Sequence, residues 1–436
     1  MMSIIMFMLM MTPLFFLSTS WLLMQYMNLF MYMVFMSLNT TFFFNSISYF
    51  MAIDSFSYGL MMLSFLVSSF MLISMSNSYS NPLFLLVNMS LSLMLLVIFS
   101  SLSFIYMYMS FEFVLVPLFI MIMGWGYQPE RLMAGLYLFL YTLFVSLPLL
   151  MLMYYLYSNF GSLFFDYMFY YSNMFLIHFI LLIVFMVKLP MFLVHFWLPK
   201  AHVQAPVAGS MILAGLMLKI GGYGLIRIMY MYEYMYMSYS FIWYGLSLVG
   251  SVIISMLCLI QGDIKCLIAY SSVSHMGMVI MGLMTMSSWG LLGSYLLMLG
   301  HGFCSSALFY GANLIYIRTG SRSFYVNKGL IMYMPSFSLI WFIFCSFNMS
   351  CPPSLNFVSE IMILSSMMYF WYNSFIFFVF ISFFCACFSY YLYSYSQHGL
   401  YHSLYSFSSI NSMEFLCLFM HLIPLVISPF ILFNIF

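Results

Sequence analysis

The sequence predicts an all-α polytopic membrane protein, a bundle of about fourteen transmembrane helices, and three observations predict it. Only 4% of the 436 residues are charged, where a soluble domain carries about 25%. Hydrophobic residues make up 66% of the chain and the mean hydropathy is +1.11. Apolar runs of spanning length, about 20 residues each, follow one another with short interruptions. So few charges cannot cover a water-facing surface, so lipid is the solvent for most of the chain. The length leaves no room for a sizeable soluble domain.

The runs fall near 1–18, 22–43, 56–75, 83–101, 103–123, 133–157, 174–198, 207–230, 240–260, 266–287, 290–317, 330–372, 374–396 and 412–434. The first lacks the basic segment of a signal peptide and the arginines of a transit peptide, so it reads as a membrane helix. The seventh holds Pro190 in its interior. The twelfth is too long for one crossing and holds Pro352-Pro353. Proline removes a backbone donor and clashes with the preceding turn, so helices seven and twelve are expected to be broken. Membranes tolerate such breaks where protein or a polar cavity satisfies the freed groups.

Charge parity tests this count. Arg131, Lys200, Lys265, Arg318, Arg322 and Lys328 all follow odd-numbered runs, and Arg227, beside Glu233, alone falls on the other side. Such an asymmetry is what the positive-inside rule expects, and it puts both termini on the cation-poor side. Two broken helices five spans apart have opposite orientations, which points to inverted repeats around a midplane site. The expected division is helices one to three over 1–82 and a five-helix unit, helices four to eight, over 83–230. Its inverted counterpart, helices nine to thirteen, covers 240–396, and a last helix covers 412–434.

Composition excludes several functions. A net charge of +1 without a basic patch argues against nucleic acid. The eight cysteines show no Cys-x-x-Cys spacing, and no nucleotide loop is present. No metal, flavin or iron–sulfur cluster is therefore expected in this chain. His398 and His402 stand four apart, but no third ligand is near, and a solvated loop is the better reading. The abundance of methionine and phenylalanine, 50 and 52 residues, resembles the bias of organelle-encoded proteins.

Four ionisable residues fall inside spans: Glu112, Lys188, Lys219 and Glu360. On insertion scales such a charge costs ~2.5–3.5 kcal/mol at a helix centre, and Lys188 and Lys219 lie too deep to snorkel to the interface. Glu112 precedes Pro117, Lys188 precedes Pro190, and Glu360 follows Pro352-Pro353. Titratable groups beside helix breaks meet unpaired backbone and water, as a proton relay requires. His275 and His301 also lie within spans, and His195, seven residues after Lys188, is expected near the same azimuth if the helix resumes. Imidazole both donates and accepts near neutral pH. A Glu112–Lys188 pair is expected to hold both groups ionised, with switching passed through Lys219, His275 and His301 to Glu360.

The competing reading of any one pair is a helix–helix clamp, and of any one histidine a packing residue, as we read His178 and His421. Glu130–Arg131 reads as a loop ion pair, as does Asp263 near Lys265. Asp54, Asp166 and Glu414 read as interface residues, and Gly221-Gly222 as a site of close helix packing.

The segments GWGYQPERLMAGLYLFLYTLFVSLPLL, VKLPMFLVHFWLPKAHVQAPVAGSMILAGLMLKIGGYG, LIAYSSVSHMG, HGFCSSALFYGANLIYIRTGSRS and CPPSLNFVSEI closely resemble the NADH dehydrogenase subunit 4 family of mitochondrial respiratory complex I. The likeness runs from about residue 100 onward; residues 1–95 match only by hydropathy. It implies an antiporter-like, proton-pumping subunit with fourteen helices, broken helices seven and twelve, and inverted repeats. Glu112, Lys188, Lys219, His275, His301 and Glu360 would occupy the functional positions, with His195 and His202 matching histidines around helix seven. Gln204 departs from the animal pattern, which has Glu there. The partners implied are other complex I subunits, including neighbouring antiporter-like subunits, and membrane lipids. Flavin, iron–sulfur clusters and ubiquinone would belong to those partners. A free-standing cation/proton antiporter and a structural scaffold are the alternatives, and the buried charges argue against the scaffold.

Overall fold

The computed structural model describes residues 2–17, 20–38, 47–75, 81–167, 174–400 and 408–432. Helix is the only extended regular structure among them. In chain order the helices are α1 (Met2–Met10), α2 (Ser20–Met36), α3 (Ser55–Met75), α4 (Pro82–Ser100), α5 (Phe104–Phe113), α6 (Leu115–Trp125) and α7 (Arg131–Phe160). Then come α8 (Phe175–Lys188), α9 (Trp197–Gln204), α10 (Val207–Ile212), α11 (Leu218–Met231), α12 (Glu233–Cys258), α13 (Ile264–Met284) and α14 (Ser288–Thr319). The last four are α15 (Pro335–Asn348), α16 (Leu355–Phe370), α17 (Ser374–Gln397) and α18 (Ser412–Leu432). Ten helical segments among the described residues are long and apolar enough to cross a membrane. The α10–α11 segment, α13, α14 and α3 are almost wholly enclosed, while α7, α17 and α18 turn most of their surface outward. Lys219, Lys265, His275 and His301 are buried on these enclosed helices.

Proline interrupts the chain where expected. After Lys188 the backbone stays irregular until Trp197, with Leu193 at φ 81°. Between α15 and α16 it is irregular from 349 to 354 around Pro352-Pro353. Each break leaves carbonyls of the preceding helix without their helical partners. Trp197 Nε1 donates to Val187 O at 3.0 Å, and Asn356 Nδ2 donates to Phe347 O at 2.9 Å. In both cases a side chain of the second half-helix satisfies the last turn of the first. Gly221 lets α11 lie against the first break, since a Cβ there would stand 2.9 Å from Leu189 N. This is the close packing read from the Gly-Gly pair.

Two further irregularities were not expected. Pro13 turns the end of the first run into a 3₁₀ turn over Thr12–Phe16. Between α10 and α11 runs a π turn, Leu213–Met217.

Loop contacts divide the helix ends between two faces. On one, Ile264 N donates to Arg322 O and Phe324 N to Gly262 O, while Arg322 Nη1 reaches Gln128 Oε1 at 3.5 Å. The connections holding Arg131, Lys265 and Arg322 therefore meet on a common face, as charge parity predicts. On the opposite face Leu102 N donates to Phe50 O and Phe104 N to Leu163 O. There Arg227 pairs with Asp54, not with its sequence neighbour Glu233.

Two expected loop pairings differ in the structure, and Glu414, read as an interface residue, has a specific partner. Glu130 and Arg131 do not bond each other. Arg131 Nη1 donates to Gly126 O at 2.7 Å, and Glu130 Oε2 accepts from Gln204 Nε2 at 3.0 Å. Lys265 is no loop residue; it sits in the first turn of α13, is 1% exposed and donates to Ala205 O at 3.5 Å. Glu414 holds the start of α18 to the end of α14 by accepting from Arg318 Nη2 at 2.5 Å. His402 lies outside the described residues; among those described, no cluster of three or more metal-ligating side chains occurs.

Candidate functional site

Glu112 lies near the end of α5, just before the interruption at Val114. Pro117 causes that interruption, because its missing N–H leaves the Phe113 carbonyl without a helical partner. Lys188 is the last residue of α8 and is 2% exposed. Its Nζ stands 3.9 Å from the ring centroid of Phe111, the residue next to Glu112. The expected direct pair is thus corrected. The two charges sense each other, but neither Lys188 Nζ nor either Glu112 oxygen has a hydrogen-bond partner. The face of Phe111 takes the ammonium, an attraction of roughly 0.5–2 kcal/mol. Phe111 carries no sequence signal of that role.

Lys219 owes its environment to the π turn. The widened turn frees a carbonyl from its helical partner, and Lys219 Nζ donates to Ala214 O at 2.6 Å. The same Nζ lies 3.0 Å from His301 Nδ1 on α14. As an ammonium Lys219 donates to Nδ1, which puts the imidazole proton on Nε2. The His301 ring centroid is 5.5 Å from that of His275 on α13. His275 Nδ1 is in turn 4.0 Å from Glu360 Oε1 on α16. Lys219 and His275 are fully buried, His301 is 1% and Glu360 9% exposed. Neither ring nitrogen of His275 has a hydrogen-bond partner. Three helices and one half-helix thus bring Lys219, His301, His275 and Glu360 into one continuous line.

His195 does not join Lys188. The helix resumes only at Trp197, so His195 lies in the irregular segment, stacked between Phe192 and Phe196 at 6.0 and 4.6 Å. The expected shared azimuth fails because eight residues beyond Lys188 are not helical. Nor does any hydrogen bond or ion pair among the described residues join Lys188 to Lys219, so the candidates form two groups. His202 stacks on Phe309 at 4.8 Å, within reach of the charges of Lys219 and Lys265, and both its nitrogens lack partners. Gln204 donates to Glu130; a glutamate there would set two carboxylates face to face.

Close backbone approach keeps the line together. A Cβ on Gly302 would stand 2.6 Å from Leu63 Cδ1, 3.2 Å from Gly215 O in the π turn and 3.4 Å from Lys219 Cε. We expect Gly302→Ala to destabilise the chain by about 1–3 kcal/mol through overpacking and to loosen the Lys219–His301 contact. A fall in both the melting temperature of the assembled protein and its proton translocation would bear this out. Wild-type values for both would show that the neighbours yield freely.

The class of this fold emerges from solved structures. A chain in the structure titled "Respiratory complex I from Thermus thermophilus with bound NADH" superposes with a TM-score of 0.86 at 18% identity, covering 97% of this chain and 94% of its own length. A chain of the membrane-bound sulfane sulfur reductase, an archaeal respiratory membrane complex, gives 0.81 at 20% identity, covering 97% and 75%. At these identities the likeness establishes the fold alone. The family model described as "NADH:quinone oxidoreductase/Mrp antiporter, TM" matches residues 101–389. That for the amino terminus of NADH-ubiquinone oxidoreductase chain 4 matches residues 1–98. Proteins named NADH-ubiquinone oxidoreductase chain 4 from Ceratitis capitata and Aedes aegypti are 54% and 52% identical over 307 and 306 residues, each alignment covering 69% of this chain and 68% of the relative. The chain belongs to the NADH-ubiquinone oxidoreductase chain 4 family.

Proposed function

We propose that this chain is a proton-translocating subunit of the membrane arm of mitochondrial NADH:ubiquinone oxidoreductase, and so part of a translocase. The observation that carries the reading is the enclosed line Lys219–His301–His275–Glu360, whose contacts measure 3.0 Å, 5.5 Å between ring centroids and 4.0 Å. Four titratable groups that close, sealed from lipid, support reversible proton occupancy. They offer no bond-making chemistry. The unpartnered nitrogens of His275 suit a bridging water, which needs two to four polar partners.

In this reading about fourteen helices span the inner membrane, with two inverted five-helix units over 83–230 and 240–396. Glu112 and Lys188 form the entry group of the relay, and His195 lines the first break. Both termini lie on the intermembrane-space side, since the face with Arg131, Lys265 and Arg322 is taken as the matrix face. Flavin, iron–sulfur clusters and ubiquinone reside in partner subunits, and the energy arrives from electron transfer there. Proton movement here is driven, not catalysed by a redox centre of this chain. The gene is organelle-borne.

Native electrophoresis of mildly solubilised membranes, stained for NADH oxidation and read by mass spectrometry, tests this. The chain is expected in the NADH-oxidising band at the size of a large multisubunit complex. Migration alone or as a small oligomer would reject the assignment in favour of a free-standing antiporter.

A further inference from the structure

The break between α15 and α16 sets polar side chains against the line that ends at Glu360. Asn348, the last residue of α15, stands beside His275, and Ser350 in the irregular segment stands beside Glu360. Asn356 follows in the first turn of α16 and is buried. Its Nδ2 donates to Phe347 O at 2.9 Å. A carbonyl only accepts, so this bond fixes which end of the amide is which. Oδ1 therefore points the other way, into the space that a Cβ on Gly300 would occupy. Gly300 directly precedes His301 on α14. Asn356 thus reaches from the last turn of α15 to the backbone beside His301.

Asn356 Oδ1 has no hydrogen-bond partner. A buried acceptor left unsatisfied is costly, so the atom calls for a partner of its own. Other unpartnered polar atoms lie close by. Glu360 is four residues further along the same face of α16, and its Oε1 is unpartnered, as are both nitrogens of His275. His275 Nδ1 is 4.0 Å from that Oε1, too far for a direct hydrogen bond. Together these groups offer one water the two to four polar partners that a buried water needs.

We propose that Asn356 is a positioning residue of the proton line, its Oδ1 anchoring a water that bridges His275 and Glu360. The role rests on the proton-translocating reading of this chain. The water accepts from His275 Nδ1–H and donates one hydrogen to Asn356 Oδ1 and the other to Glu360 Oε1. The amide oxygen takes up no proton itself; by holding one hydrogen of the water it turns the other toward the carboxylate. Transfer follows once His275 has gained a proton at Nε2 from the His301 side. One N–H bond then breaks at His275 and one O–H bond forms at Glu360, while the water gives one proton and takes one.

Two variants of the assembled complex separate this role from that of a tether. Asn356→Leu is close in shape and removes both ends of the amide. Asn356→Asp keeps an oxygen acceptor and loses the donor to Phe347 O. Both are expected to melt at a lower temperature than wild type. Only Asn356→Leu is expected to lose proton uptake per NADH oxidised several-fold. It is also expected to shift the infrared band of the Glu360 carboxyl, identified by its loss in Glu360→Gln. An equal loss of uptake in both variants with that band unmoved is the result of a tether alone and would overturn the proposal. Full uptake in Asn356→Leu while Glu360→Gln is inactive would overturn it too, and would leave the relay standing. Full uptake in Glu360→Gln would instead overturn the relay, and this role with it. Should Asn356→Leu fail to assemble, a high-resolution density map of the wild-type complex decides. An ordered water within hydrogen-bond reach of Asn356 Oδ1 and Glu360 supports the proposal, and a dry site overturns it.

Discussion

Lys219→Met is expected to abolish proton translocation by the assembled complex without preventing assembly. Methionine fills much of the same volume without an amine, and a lysine at a helix centre costs ~2.5–3.5 kcal/mol on insertion scales. Removing it is therefore neutral or stabilising for the fold. What disappears is the donor 3.0 Å from His301 Nδ1, and with it the first step of the line to Glu360. Lys219→Arg separates two roles. A guanidinium keeps the charge, but its pKa above 12 means that it does not give up a proton. If Lys219 exchanges protons, the arginine variant fails too; if it is a fixed charge, arginine restores function. Proton uptake per NADH oxidised in sealed vesicles, followed with a pH-sensitive dye, reads both variants. Full stoichiometry in Lys219→Met would sink the relay as drawn.

Asp54→Ala is expected to produce the largest loss of stability. Arg227 and Asp54 form an ion pair whose side chains are 12% and 7% exposed. Arg227 Nε also donates to the Tyr223 hydroxyl at 2.9 Å, which donates to Phe99 O at 2.8 Å. This network ties the segment before α3 and the end of α4 to α11, the helix that carries Lys219. Truncating one partner of a buried pair takes from the other the carboxylate that balances it, a loss of up to about 3–5 kcal/mol. A second change, Arg227→Met, removes that charge and is expected to recover most of the loss. Thermal melts of the purified complex compare the single and double variants. A loss below about 1 kcal/mol in Asp54→Ala would class the pair with weak surface bridges.

Legibility in the sequence differed residue by residue, for identifiable reasons. Pro190 and Pro352-Pro353 announced their breaks because a missing N–H and a ring clash are local properties that no packing repairs. Lys188, Lys219 and Glu360 stood out because an ionisable group inside an apolar run is costly wherever it lies. Arg227 gave no sign of its partner, since Asp54 is far away in sequence and reaches it across the bundle. Lys265 looked like a loop cation because hydropathy places boundaries only within a few residues, and one turn separates interface from interior. The π turn before Lys219 has no recognised composition, so neither it nor the Ala214 contact could be foreseen. His195 was set beside Lys188 by counting helical residues across a stretch that is not helical.

The sequence by itself determined that the chain is a membrane bundle, which helices break, which face collects the cations and which groups are buried at a cost. These follow from transfer free energy and from proline chemistry, both fixed by residue type and order. Tertiary structure alone decided which buried groups meet. It joined Lys219 to His301, His275 and Glu360 across four helical segments, set the Lys188 ammonium over the Phe111 ring, and set His195 apart. Contact between side chains on different helices depends on how those helices rotate and cross, and packing against neighbours, not local sequence, sets that geometry.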